Sequence, residues 1–510
     1  MSDPVGEQVD QRPDATAIID TSNVTNWTYE TYDDKIEATA RRLTLIGVEA
    51  GDRVAILSET RPTVATAFFA CWRIGATAVM LNARLTPSEL QPQVERTEPA
   101  VLLTSPLEAV TARTIAAATP VYSIGGSSEQ QDVDRLESVH PAPTEPVRAH
   151  SSEPAGSAGA STDTSPHDVA FLFTSGTTGT PKAVRITEQN FQAAATAHRD
   201  RLGVDPDDRW LCPLSTYHMG GLSILVRSAY YGTTTVLQRT RDGFDPSTTR
   251  DRLDTYDCTA VSVVPVMLRR LLEDGPLPDT LRFVLCGGAP TPPQLVQRAA
   301  ERDVPVSPTY GMTETTSQVA TPTPDEARSH PDSVGRPLSG VQVTLVDDAR
   351  EPVPVGDLGE IVVDGPTVTP GYLDGGGDFG PYGFHTGDVA RRDDAGRLFV
   401  LNRREDRILS GGENVHPGEV ADVLTEHPAV SDVVVLGLSD PEWGERVAAL
   451  VVPTGEEPPD SDDLRVFVAE RLADYKVPKT LVFTDVLPRT ASGTVDRDAA
   501  RTELRRLTDL

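Results

Sequence analysis

The sequence predicts an α/β protein: a large N-terminal domain of layered α/β subdomains plus a β-rich part, then a small α+β domain. Three observations predict it. The chain has 510 residues, too long for one hydrophobic core. Strand-length apolar runs alternate with helix-length periodic segments up to about residue 125 and again after residue 258, the rhythm of parallel α/β layering. That rhythm breaks near Arg403 and Arg404 and a second mixed stretch follows, so the domains are read as 1–402 and 403–510.

The elements follow in order. Residues 28–45 carry a helical pattern and residues 53–57 a strand. The longest apolar tract, residues 64–81, holds Arg73 near its middle. A central arginine costs about 3 kcal/mol in a bilayer, so a helix and then a strand in a water-soluble core is expected. Residues 140–167 are rich in Pro, Ser, Gly and Ala and read as a linker. Residues 169–173 and 183–186 read as two strands flanking a Gly/Ser/Thr turn, and residues 258–264 and 281–285 as further strands. A β-rich part runs from 360 to about 401. The second domain reads as a helix at 417–426, strands at 433–438 and 447–452, a helix at 462–472 and a closing helix after Arg497.

Charge narrows the class. There are 76 acidic against 46 basic residues, for a net charge of −30. Nucleic acid and anionic membrane surfaces demand the opposite sign, so neither partner is expected. Only Lys35, Lys182, Lys476 and Lys479 are lysines. An acidic, lysine-poor surface is similar to that of proteins from salt-accumulating halophiles, where salt screens self-repulsion. Cys71, Cys212, Cys258 and Cys286 stand singly with no zinc spacing, as expected of reduced thiols in a cytoplasmic protein. The first residues show neither a basic nor an apolar signal region. A homo-oligomer is compatible with the sequence.

The chemistry concentrates first in Thr174-Ser175-Gly176-Thr177-Thr178-Gly179-Thr180-Pro181-Lys182. Glycines allow sharp bends and close approach to a ligand. Exposed backbone N–H groups, hydroxyls and a terminal lysine make a cradle for phosphate oxygens. It is not a Walker A loop, since Pro181 precedes the lysine and a strand follows.

This loop resembles the signature of the acyl-adenylate-forming superfamily. Further matches follow in chain order: Tyr217-His218-Met219-Gly220-Gly221, Gly287-Gly288-Ala289-Pro290, Tyr310-Gly311-Met312-Thr313-Glu314, Thr386-Gly387-Asp388, Arg403-Arg404-Glu405-Asp406, Ser410-Gly411-Gly412-Glu413-Asn414 and Leu487-Pro488-Arg489-Thr490. The resemblance implies an AMP-forming acid–CoA ligase that takes ATP, CoA and a small carboxylic acid with Mg²⁺. It also implies that the C-terminal domain is mobile and swings between two orientations about a hinge, here Glu405. The loop from Thr174 to Lys182 would hold the triphosphate, with Thr178 and Glu314 on the metal. Gly288, Ala289, Pro290, Tyr310, Gly311 and Thr313 would line the nucleotide, Asp388 would take the ribose, and Arg403 would reach the ribose or the phosphate. His218 and Gly287 would border the acid, while Ser410, Gly411 and Gly412 would wall the pantetheine tunnel.

Two departures stand out. The family hinge is usually Asp, and here it is Glu405. The late motif usually ends Ser-Gly-Lys, with the lysine bridging acid and α-phosphate; here it reads Ser492-Gly493-Thr494. Nine residues past His218, Arg227 interrupts an apolar helical run. A cation there, with Ser410 to Asn414, is similar to the o-succinylbenzoate–CoA ligases of menaquinone synthesis, whose substrate has a second carboxylate to anchor. Arg227 could instead snorkel at a helix surface. A generic aryl or fatty acyl-CoA ligase, or a degenerate acyl- or nucleotide-binding homologue, are the alternatives.

Overall fold

The structure is a computed structural model describing residues 3–125, 133–139, 167–174, 181–239, 243–403, 406–410, 413–440, 444–455, 457–490 and 494–508. It divides into two compact units. The first comprises residues 1–262, 312–317 and 366–377, the second residues 263–311, 318–365 and 378–510.

The first unit is built on parallel strands that are buried on both faces and therefore read as continuous apolar runs. In one sheet the order is Asp134–Arg135, Val121–Ser123, Val101–Thr104, Arg53–Leu57, Thr77–Leu81, Asp168–Thr174 and Lys182–Thr187. All neighbours are parallel except the last pair. Ala260–Val263, Arg209–Cys212, Thr234–Leu237 and Thr16–Asp20 also lie side by side in parallel, and Thr25–Thr28 turns back antiparallel. The apolar tract becomes the helix Pro62–Ile74 and the strand Thr77–Leu81. Phe68, Phe69 and Trp72 are fully buried on the helix, and Pro62 suits its first turn, where a missing N–H costs nothing. Arg73 escapes the core by pairing with Asp3 at 2.7 Å and Asp33 at 2.5 Å. Among the described residues no helix is long and apolar enough to cross a membrane.

In the second unit the antiparallel strands Gln342–Val346, Leu358–Asp364, Gly383–Arg392 and Leu398–Arg403 form the expected β-rich part. A further sheet pairs Glu413–Val415, Ile408–Ser410, Gly444–Pro453 and Val430–Asp440 antiparallel, with Thr480–Phe483 parallel to Gly444–Pro453. Its side chains alternate between faces. Val435, Val447 and Val451 pack with Val420 and Leu464 of the helices Pro417–Thr425 and Ser461–Ala469. Val434, Leu436 and Leu450 pack with Ala500 and Leu504 of the helix Arg497–Thr508. The expected 402/403 boundary falls inside this unit, at the last residue of the strand Leu398–Arg403. Of the linker read at 140–167, residues 140–166 lie outside the described residues.

Candidate active site

The two strands expected to flank a phosphate loop are neighbours in one sheet. Thr174 ends one strand, Lys182 opens the next, and the two are register partners in the antiparallel ladder. Ser175, Gly176, Thr177, Thr178 and Gly179, expected between them, lie outside the described residues. Glu314 sits in a single tight turn, Thr313–Thr315, and is 9 % exposed.

Residues 366–373 hold these two pieces together in the first unit. The Thr369 N–H donates to the Glu314 carbonyl at 2.8 Å, and the Thr316 hydroxyl to the Thr367 carbonyl at 2.8 Å. Further on, the Leu373 N–H donates to the Ala183 carbonyl at 2.9 Å, and Val184 and Tyr372 form an antiparallel bridge. Between these anchors the Tyr372 hydroxyl donates to Glu314 Oε1 at 3.0 Å, and Lys182 Nζ lies 5.1 Å from the Tyr372 ring centroid. Sequence reasoning missed Tyr372. It stands in a Gly-rich run, Gly371 to Gly377, with no periodicity to mark it.

The second unit assembles another cluster. The Tyr310 hydroxyl donates to Asp388 Oδ2 at 2.7 Å, and Arg403 Nε lies 3.0 Å from Asp388 Oδ1. Asp388 is 7 % exposed. Burial raises its pKa above the usual carboxylate value, with Arg403 and Tyr310 pulling the other way. Burial, then Asp388, push the Tyr310 hydroxyl far up, so it is a donor at neutral pH. The turn before Asp388 is fixed by the Thr386 hydroxyl, which donates to the Ile361 carbonyl at 2.8 Å and accepts the Asp388 N–H at 3.1 Å. The Glu360 carboxylate accepts the Gly387 N–H at 3.2 Å. Gly287, Gly288, Ala289 and Pro290 follow the strand Phe283–Cys286. Gly288 has φ +79°, a conformation that favours glycine. Gly311 and Thr313 flank Met312 between Tyr310 and Glu314.

His218 caps the helix Met219–Tyr231 in the first unit, its ring edge-on to Tyr217 at 4.8 Å. Burial, helped by the Arg84 charge, pulls its pKa down to about 4, so it is a neutral imidazole. Gly221 lets the first helical turn lie on the chain before it: an added Cβ would collide with the Ser215 carbonyl. Arg227 is on the same helix, about 13 Å further along its axis. It is 4 % exposed, with Nη1 3.2 Å from His198 Nδ1 and its guanidinium 4.8 Å from the Trp210 ring centroid. Burial pulls it down to about 10, with Tyr231 and Cys212 opposing, so it is still a cation at neutral pH. It lies inside the core and does not snorkel.

Ser410 is 1 % exposed and pairs with Glu413 and Gly444. Gly411, Gly412 and Glu405 lie outside the described residues. Thr494 is bound to Thr490: the Thr490 N–H donates to its carbonyl at 2.8 Å and the two hydroxyls are 2.7 Å apart. The nearby cation Arg497 is committed to Asp406, at 2.7 Å, and to the Val435 carbonyl, at 3.0 Å.

An acidic residue tied through Tyr372 to Lys182, and a tyrosine–carboxylate–arginine cluster, have chemistry that suits a nucleotide. The family model for AMP-binding enzymes matches residues 5–373, and that for the AMP-binding enzyme C-terminal domain matches residues 419–494. The chain belongs to the AMP-binding enzyme family. This AMP-binding enzyme is 36% identical over 509 residues to a 2-succinylbenzoate–CoA ligase of Bacillus thuringiensis subsp. konkukian, covering 98% of this chain and 96% of the relative. It is similar to the o-succinylbenzoate CoA synthetase of Bacillus subtilis in complex with the acyl-adenylate intermediate OSB-AMP, with 31% identity, TM-score 0.84 and 98% of each chain covered. The same synthetase in complex with ATP and magnesium ion matches with TM-score 0.83 and 31% identity, over 98% of this chain and 99% of that one.

Proposed function

We infer that this AMP-binding enzyme is an ATP-dependent, AMP-forming acid–CoA ligase that converts o-succinylbenzoate to o-succinylbenzoyl-CoA for menaquinone synthesis. The observation that carries the reading is full-length similarity to 2-succinylbenzoate–CoA ligases, 36% identity over 98% of the chain. The two preformed clusters support it, because each has the chemistry of one part of ATP. A carboxylate oxygen of the acid attacks the α-phosphorus and pyrophosphate leaves, giving acyl-AMP. The CoA sulfur then attacks the acyl carbon, its thiol proton is lost to solvent, and AMP leaves.

Lys182 and the loop after Thr174 neutralise the triphosphate. Asp388, held by Tyr310 and Arg403, has lone pairs for the ribose hydroxyls. Neutral His218 can border the acid without pairing with its carboxylate. Among the described residues no cluster of three or more His, Cys, Asp or Glu could cage a metal. That fits Mg²⁺, which prefers phosphate oxygens and one or two carboxylates; Glu314 and Thr178 are the protein groups for it. When bound, Mg²⁺ neutralises charge on the phosphates. Residues 403–510 act as the swinging domain with Glu405 at the hinge, and Ser410, Gly411 and Gly412 border the pantetheine. The protein works in a cytoplasm of high salt.

The test is incubation with ATP, CoA and a panel of acids in concentrated KCl. The expected products are AMP, pyrophosphate and o-succinylbenzoyl-CoA; ADP and phosphate would overturn the assignment. Arg227 supplies the finer test. As the anchor of the second carboxylate, its replacement by Met should weaken o-succinylbenzoate binding by about 2–5 kcal/mol, a rise in KM of roughly 30- to 4,000-fold, and leave benzoate unchanged. Equal effects on both acids would place Arg227 outside the pocket. Thr494 favours a second reading, a binding homologue without turnover. Absence of pyrophosphate release with every acid, despite ATP binding, would favour it.

A further inference from the structure

Tyr372 has a role that the reaction outlined above does not use. Its phenol touches two groups that are far apart in sequence. The hydroxyl donates to Glu314 Oε1 at 3.0 Å, and the ring faces Lys182 Nζ at 5.1 Å from its centroid. The second distance is within cation–π range. We propose that Tyr372 is a positioning residue that sets the Glu314 carboxylate against the Lys182 ammonium, so that the metal-binding and phosphate-binding groups act as one unit. The proposal rests on the assignment of Glu314 to Mg²⁺ and Lys182 to the phosphates.

The side chain is not needed to hold its own segment. The backbone of residues 367–373 is already fixed by the Thr369-to-Glu314 and Leu373-to-Ala183 hydrogen bonds and the Val184 bridge. Arg96 adds a further clamp, donating to the Pro181 carbonyl and reaching Asp374 at 3.3 Å. What the phenol adds is orientation. Glu314 is 9 % exposed, and a buried carboxylate requires a hydrogen-bond donor. One phenolic donor stops the carboxylate rotating, yet an ionised carboxylate has about four lone-pair sites, so a cation can still be accepted. The aromatic face meanwhile draws the ammonium to one side of the same ring. A single rigid side chain thus sets the spacing of a negative and a positive group before ligand arrives, and less ordering remains to be done on binding.

The two halves of the phenol can be tested separately by measuring ATP binding without acid, so that no turnover contributes. Tyr372→Phe keeps the ring and removes the hydroxyl. It should raise the Mg²⁺ concentration that half-saturates ATP binding about 3- to 10-fold and leave ATP affinity in EDTA unchanged. Tyr372→Leu should show the same Mg²⁺ shift and also weaken ATP binding in EDTA about 2- to 5-fold. A Tyr372→Phe protein with the wild-type Mg²⁺ requirement overturns the proposal, as do Phe and Leu variants that match each other in both titrations. Glu314→Gln separates the two levels of inference. If it raises the Mg²⁺ requirement and Tyr372→Phe does not, only the positioning role fails. If Glu314→Gln itself leaves the requirement unchanged, the metal assignment fails and the proposal falls with it.

Discussion

His218 illustrates how a buried side chain loses its usual titration. Its folded pKa of about 4 lies below the ordinary 6.5, so between these values the unfolded chain binds more protons than the folded one. Stability from this group is therefore fully present above pH 6.5 and is lost as the pH falls toward 4. We expect the pH profile of kcat/KM to show no inflection near 6.5 that His218→Asn removes. An inflection there that disappears in the variant would mean a protonatable, solvent-reached imidazole. Thr494 makes the opposite point, an uncharged residue where the family resemblance implies a lysine. Its hydroxyl is already satisfied by Thr490, and Arg497 is held by Asp406, so neither is poised to meet charge on an α-phosphate. A preorganised cation at a transition state contributes about 3–4 kcal/mol, roughly 10²–10³ in rate. Thr494→Lys should accelerate pyrophosphate formation by about that factor and leave CoA capture of preformed acyl-AMP unchanged. Pre-steady-state measurement of both half-reactions decides it; no gain in the first step would mean another cation already serves.

Elements carry constraints that single residues do not. The helix Met219–Tyr231 presents His218 at its start, and that placement depends on the close approach of Gly221 to the Ser215 backbone. Because the obstruction is backbone, relief requires the helix itself to move. Gly221→Ala should cost about 1–3 kcal/mol and lower kcat/KM at least tenfold, read from thermal melting and steady-state kinetics. An unchanged melting temperature would show that the turn has room to give. Elements were also what the sequence conveyed best. The strands Asp168–Thr174 and Lys182–Thr187 were legible because apolar runs bracket a turn of Gly, Ser and Thr. Likewise Arg73 correctly divided the apolar tract into a helix and a strand, since its charge requires the ion pairs it makes with Asp3 and Asp33. Tyr372 was not legible, because its partners Lys182 and Glu314 lie 190 and 58 positions away and nothing local marks an aromatic residue in a glycine run. The two short segments 312–317 and 366–377 escaped for the same reason. They belong to the first unit through hydrogen bonds such as Thr369 to Glu314, and pairing between distant segments leaves no periodic trace.

For the molecule as a whole, charge is the dominant variable. With a net charge of −30, the folded chain repels itself, and the repulsion is screened over about 10 Å at 0.1 M salt but about 3 Å at 1 M. The melting temperature should rise steeply between about 0.1 M and about 2 M KCl, and activity should fall on dialysis to low salt. A melting temperature independent of KCl would remove the case for a high-salt medium. The order of the strands has a consequence in time as well. Thr16–Asp20 is flanked on one side by Thr25–Thr28, but its parallel neighbour is Thr234–Leu237. At about 5–20 residues per second, a ribosome needs roughly 10–40 s to deliver that neighbour. Through this interval Ile18 and Ile19, buried in the finished protein, sit on a hairpin with one open edge, the kind of edge that templates aggregation. A message truncated before codon 237 should therefore yield inclusion bodies, and the nascent chain's dependence on holding chaperones should end as that codon clears the exit tunnel.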